Sequence, residues 1–197
     1  TKEVGIKPTP SIGGVGLIKD YKKMITMDFK ENNNVVLIIG KTEGHMDQSL
    51  FARIILDEKN GPPPEVNLFN EKNNGQTVLN LIKKKLVKSA HDVSLGGILV
   101  AVAKMCIKGK KGLEIKKPKQ LINQFEYMFS EDQGRYIVEI EKENYKQVRE
   151  ILEKNSVHYD ELGIVLDKDI VIDEKTKVSI DDLIQSNNNW LNKFMEA

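Results

Sequence analysis

Residues 35–40 read "VVLIIG": five consecutive large apolar side chains, four of them β-branched, stopped by a glycine. The run is too short for a membrane span and too uniformly apolar for a strand with one face in water. It predicts a strand buried on both faces, and such a strand needs helices above and below its sheet. At 197 residues the chain is long enough to enclose that core. The fold class expected is α/β (α+β), a mixed β-sheet flanked by helices.

The remaining segments fit this frame. "PTPSIGGVGLI" (Pro8 to Ile18) mixes prolines, glycines and β-formers and predicts an extended connector entering a short strand; "MITMDF" (Met24 to Phe29) predicts a second extended piece, and "ENNN" (Glu31 to Asn34) a turn. Helical spacing over Asp47 to Leu56 puts Leu50, Ile54 and Ile55 near one face, and "NGPPPEV" ends it. A helix at about Asn70 to Val87 carries Val78, Leu79, Ile82 and Leu86 as its apolar stripe, with Lys83 to Lys85 as a solvated end. "KGKKGLEIKKP" (Lys108 to Pro118) predicts a loop and short strand. "GRYIVEIE" (Gly134 to Glu141), the amphipathic "YKQVREILEKN" (Tyr145 to Asn155) and "ELGIVL" (Glu161 to Leu166) follow in the order strand, helix, strand, a βαβ unit. A last helix near Ile180 to Phe194 holds Leu183, Ile184, Leu191 and Phe194, with "SNNN" (Ser186 to Asn189) interrupting it. Residues 1–30 are expected to be an extended arm and residues 31–197 one α/β domain.

Bulk charge excludes one class of partner. Thirty basic against 29 acidic side chains leave a net charge of +1, without the broad positive field of a nucleic-acid binder. No apolar run approaches a membrane span. The one cysteine, Cys106, lies in an apolar helical stretch and is expected to be a buried hydrophobe. A reducing cytosol suits both features. The chain starts at Thr1 rather than methionine, which suggests a processed product or a piece of something longer.

Three segments have the residue types that chemistry requires. "SAHDVSLGGILVAVAKM" (Ser89 to Met105) places Gly96 and Gly97 at the start of a helix, where unsatisfied N–H groups attract anions; Ser94 or Asp92 is a candidate cap, and Ser94 a candidate hydrogen-bond donor to a phosphate oxygen. The same residues suit a tight strand-to-helix turn that needs small side chains for packing, the reading that spacing alone favours. His91 and Asp92 are neighbours on a strand, whose side chains point to opposite faces, so no simple proton-transfer pair is expected. "FSEDQGRY" (Phe129 to Tyr136) offers Glu131 and Asp132 as candidate magnesium ligands and Arg135 as an anion grip, or else as hydrogen-bond ties to a neighbouring loop. "GKTEGHMDQSLFARIIL" (Gly40 to Leu56) carries Gly44, His45 and Gln48 in a loop after the buried strand, a common binding position in α/β folds. His158 is expected to be surface structure, and no cysteine–histidine cluster suggests zinc.

In that order, "PTPSIGGVGLI", "GKTEGHMDQSLFARIIL…GPPPEVNL", "SAHDVSLGGILVAVAKM" and "FSEDQGRYIVEI" resemble the C-terminal part of phosphoribosylformylglycinamidine synthase, over about Pro8 to Leu166. This family is related to aminoimidazole ribonucleotide synthetase, selenophosphate synthetase and thiamine monophosphate kinase. The resemblance implies an aminoimidazole ribonucleotide synthetase C-terminal-domain-like fold. It also implies an ATP- and Mg2+-dependent ligase reaction in the full-length protein, joining formylglycinamide ribonucleotide and glutamine-derived ammonia. The partners implied are upstream nucleotide-binding halves, with the arm of residues 1–30 as the last strand of the preceding half, and a glutaminase subunit or domain. Those halves carry the catalytic histidine and most ATP and metal ligands in the family, so the chain alone is expected to be inactive, with no catalytic residue of its own. Two positions depart from the family pattern: Leu95 stands where aspartate is usual and Ser130 where glycine is common. The resemblance to the duplicated first domain implies a pseudo-site bordered by Ser94, Gly96, Gly97, Glu131 and Gln133, as a phosphate- or nucleotide-binding set. A purely architectural domain is the competing reading; membership of the aminoimidazole ribonucleotide synthetase branch is disfavoured by "EDQGRY" and "GPPPEVNL".

Overall fold

The computed structural model describes residues 10–18, 20–116 and 122–195. Pro8 and Thr9 of the expected connector, and Lys117 and Pro118 of the expected loop-and-strand segment, lie outside them.

"VVLIIG" forms β1 (Val35–Ile39), buried along its whole length. It is an interior strand of a mixed sheet with β2 (Ser89–Asp92), β3 (Gly112–Ile115), β4 (Tyr136–Ile140), β5 (Tyr159–Leu166), β6 (Ile170–Ile172) and β7 (Thr176–Val178). The spatial order is β2-β4-β1-β5-β3-β6-β7. Strand alternation sends Val36 and Ile38 to one face and Val35, Leu37 and Ile39 to the other, and each set joins a separate core.

Helix α1 (Leu50–Ile54) is short, and α2 (Leu68–Lys83) covers the second face with α5 (Tyr145–Lys154) through Val78, Leu81, Val148 and Leu152. The first face is covered by α3 (Gly97–Gly109), α4 (Gln124–Phe129) and α6 (Ile180–Met195). The result is the layered arrangement that the double-sided strand requires.

Helix α5 does link two parallel strands, since β4 and β5 both run antiparallel to β1. The unit is split, however: β1 lies between them. Several local expectations are corrected. Residues 10–18 form no strand, and Ile12, Val15 and Leu17 are almost fully exposed; of the second extended piece only Thr26 makes an isolated bridge, to Ser89. The stripe expected on α1 is exposed at Ile54 and Ile55, because Ala52 is the residue that faces inward. On α2, Leu81 replaces the exposed Leu79 in the buried stripe. The "SNNN" segment does not interrupt α6, which runs through it, and the β6–β7 hairpin occupies a stretch to which the sequence analysis assigns no element.

Candidate functional site

The C-terminal ends of β1 and β2 and the start of β4 lie side by side, as the pairings Ile39 with Tyr136 and Asp92 with Tyr136 require. The loops leaving this edge contain all three chemistry-bearing segments. Their meeting follows from topology, because β1 and β2 both run antiparallel to β4 and so end where it begins.

Arg135 organises the edge. Its guanidinium is buried; Nε donates to the Asp132 carbonyl at 3.1 Å, Nη1 to Thr42 Oγ1 at 3.1 Å and Nη2 to the Ser130 carbonyl at 2.7 Å. Burial pulls its pKa below the ordinary arginine value, opposed by the nearby Asp132 carboxylate. Asp132 in turn accepts from the backbone N–H of Glu43, Gly44 and His45 at 3.1–3.2 Å and from Ser130 Oγ at 2.9 Å. Arg135 and Asp132 therefore tie the β4 entrance to the 42–45 loop. Neither is available as an anion grip or a magnesium ligand.

Glu131 makes a different connection. Its Oε1 accepts from the backbone N–H of Leu50 at 2.7 Å and of Gly96 at 2.8 Å, bridging the starts of α1 and α3. Helix α3 has Gly96 as its N-cap residue with φ +83° and no side-chain cap, so neither Ser94 nor Asp92 fills the capping role expected of them. Ser94 is exposed, and its carbonyl accepts from the Gly97 N–H. Gly97 (φ +69°) is packed against the end of α4: a Cβ there would lie 2.6 Å from the Ser130 carbonyl oxygen and 2.7 Å from that of Met128. The double glycine is thus required by contacts within the chain. Among the described residues no group of three or more His, Cys, Asp or Glu is arranged to hold a metal ion.

Gln133 is exposed and faces the other way, lining a cavity of about 690 Å³ with Lys41, His45, Asn70, Asn74 and His158. Of these residues His45 and Gln133 are expected from the sequence, Lys41, Asn70 and Asn74 are not, and His158 is expected to be surface structure. The signal was available: Asn67, Asn70, Glu71 and Asn74 recur at helical spacing and mark one polar face of α2 toward the cavity. Lys41 is paired with Glu43 at 2.7 Å, and His45 Nε2 lies 3.0 Å from the Pro62 carbonyl oxygen. Gln48 reaches the Lys59 and Gly61 carbonyls, so the 40–49 loop is fastened to the proline segment. His91 and Asp92, expected to diverge, meet at 3.2 Å between Nδ1 and Oδ1 at the strand end. His158 Nε2 lies 3.1 Å from Asp160 Oδ2.

The family model described as AIR synthase related protein, C-terminal domain, matches residues 31–174. A phosphoribosylformylglycinamidine synthase subunit PurL of Pelagibacter ubique is 69% identical over 196 residues, covering 100% of this chain and 27% of its own length. The corresponding subunit of Bartonella henselae is 38% identical over 195 residues, covering 99% of this chain and 26% of its own length. The chain thus spans about a quarter of these curated relatives. Among solved structures, T. maritima PurL complexed with FGAR superposes with a TM-score of 0.68 at 19% identity, covering 83% of this chain and 30% of that one. Thiamine-monophosphate kinase from Stenotrophomonas maltophilia reaches a TM-score of 0.51 at 12% identity, over 76% of this chain and 52% of that one; at these identities the likeness concerns the fold. With the family model covering most of the chain, this layered α/β domain belongs to the AIR synthase related protein, C-terminal domain, family.

Proposed function

We propose that the chain works as the C-terminal α/β domain of a phosphoribosylformylglycinamidine synthase, an ATP-dependent carbon–nitrogen ligase of purine biosynthesis in the cytoplasm. The observation that carries the reading is the 69% identity, across the whole chain, to the Pelagibacter subunit. In this reading residues 1–30 are the arm joining the domain to an upstream nucleotide-binding half, and residues 31–197 are the domain proper. The full protein converts formylglycinamide ribonucleotide and ammonia, delivered by a glutaminase subunit or domain, to the amidine at the expense of ATP. The chain alone is inactive.

The domain's part is to border a phosphate- or nucleotide-binding cleft completed by the missing halves. Gln133 and Ser94 are exposed and are the groups placed to meet a ligand, Gln133 Nε2 also donating to the Glu131 carbonyl at 3.4 Å, while Gly96, Gly97 and Glu131 shape the wall. Magnesium does not fit this wall: the carboxylate oxygens of Asp132 and Oε1 of Glu131 already accept backbone N–H groups. Any magnesium of the synthase is therefore assigned to residues outside this chain.

The test is a chimera in which this chain replaces the corresponding segment of the Pelagibacter subunit. With ATP, magnesium, ammonia and formylglycinamide ribonucleotide supplied, ADP release is expected from the chimera and not from the subunit lacking the segment. An inactive, folded chimera overturns the reading. Activity that persists when Ser94 and Gln133 are both replaced by alanine makes the domain architectural.

A further inference from the structure

The sequence of the α3 start is that of an anion site: two glycines lead into a 13-residue helix whose backbone N–H groups and dipole favour negative charge. The structure already holds an anion there, and it belongs to the chain. Glu131 Oε1 lies 2.8 Å from the Gly96 N–H, and the same oxygen lies 2.7 Å from the Leu50 N–H of a helix 46 residues away in sequence (96 minus 50). Charge-assisted bonds of this kind are stronger than neutral ones. Two further contacts hold the carboxylate in place. The Glu131 N–H donates to the His45 carbonyl at 3.2 Å, and its neighbour Asp132 is fixed by three backbone N–H groups of the 43–45 loop. Gly97, the residue whose missing side chain would admit a ligand, is instead closed over by the carbonyls of Met128 and Ser130.

We infer that Glu131 is an intramolecular anion that occupies the α3 entrance and excludes phosphate from the double glycine. A phosphate-bearing ligand in the cleft is then confined to the Gln133 side, over the cavity, unless it displaces the carboxylate and separates α1 from α3. The inference deepens the reading of this edge as the border of a phosphate cleft and rests on it. It is read at single amides of this chain rather than as turnover, so its failure and the failure of that reading are distinguishable.

The experiment is a titration of the 15N-labelled full chain with inorganic phosphate, following the backbone amides of Leu50, Gly96 and Gly97 in the wild type, Glu131→Gln and Glu131→Ala. In Glu131→Ala the Gly96 amide is expected to shift saturably, with apparent affinity at least about tenfold higher than in the wild type, where the carboxylate must first be displaced. Glu131→Gln, which keeps the acceptor but not the charge, falls between. Saturable shifts of Gly96 with equal affinity in all three proteins overturn the inference, as does an absence of binding in the folded variants. Should the variants not fold, the wild type alone decides. Slow hydrogen exchange at Leu50 and Gly96, unchanged by phosphate, upholds the internal anion, and exchange accelerated by phosphate overturns it.

Discussion

Glu139 and Ser89 face each other across the β2–β4 pair, and the Ser89 hydroxyl donates to Glu139 Oε2 at 2.8 Å in a region closed to solvent. The carboxylate also accepts from the backbone N–H of Lys30 and Glu31 at 2.9–3.1 Å and from Asn34 Nδ2 at 2.8 Å. A charged residue in the middle of an otherwise apolar strand is thus fully satisfied, and it fastens the turn before β1 to the sheet. Glu139→Ala strands these donors in a buried site and is expected to cost at least about 3 kcal/mol. Glu139→Gln, which keeps the shape but adds donors where only acceptors fit, is expected to cost about half as much or more. Urea unfolding of the three proteins checks both.

Arg135 is expected to be irreplaceable by lysine. Three separate acceptors surround its planar guanidinium, and one ammonium cannot reach the Ser130 carbonyl, the Asp132 carbonyl and Thr42 Oγ1 together. Arg135→Lys should destabilise the chain by about 2 kcal/mol through the unsatisfied groups it leaves. Because the damage falls on the 42–45 loop, amide exchange at Gly44 and His45 should rise more than exchange in α5. Equal acceleration everywhere would show that Arg135 contributes to the core and not to the loop.

The central strand was legible because five apolar residues in a row allow one solution, and α5 because Val148 and Leu152 sit on a face that meets the sheet. The spacing of α1 was equally clear, but spacing says which residues share a face and not what that face meets, and Ile54 and Ile55 meet solvent. The asparagines of α6 are poor helix formers rather than breakers, each costing about 0.6 kcal/mol, and the packing of Leu183 and Ile184 carries the helix through them. The β6–β7 hairpin turns at Asp173 and Glu174 with positive φ, where glycine or asparagine would have announced it. Glu131 was legible as a site residue but not as a bridge, since its partners lie 35 and 81 positions away.

Gly97 separates a backbone requirement from a ligand requirement. Gly97→Ala places a methyl group 2.6–2.7 Å from two carbonyl oxygens at φ +69°, so it is expected to destabilise by about 2 kcal/mol or more, with no ligand present. Gly16→Ala has nothing within 4 Å and should change stability by less than about 0.5 kcal/mol. Thermal unfolding of the two variants side by side checks the contrast. A neutral Gly97→Ala would mean that the α4 end yields easily and that the glycine is kept for some other reason.

Cys106 links the core to alkaline pH. Burial in the α3 core raises its thiol from the ordinary 9.0 to about 12. The buried Tyr127 hydroxyl is also pushed upward, by burial first and the Asp160 charge second. In both cases the unfolded chain gives up its proton at a lower pH than the folded one. Above pH 9.0 the unfolded state therefore binds fewer protons, and stability falls as pH rises from there toward about 12; below 9.0 the contribution is fully present. Chemical unfolding at a series of pH values should show this decline, and Cys106→Ala should remove part of it. The same burial predicts that a thiol reagent at pH 8 labels the native chain only as fast as it opens, and at full rate once urea unfolds it. Rapid labelling of the native protein, or a pH slope unchanged in Cys106→Ala, would show that the α3 core admits solvent.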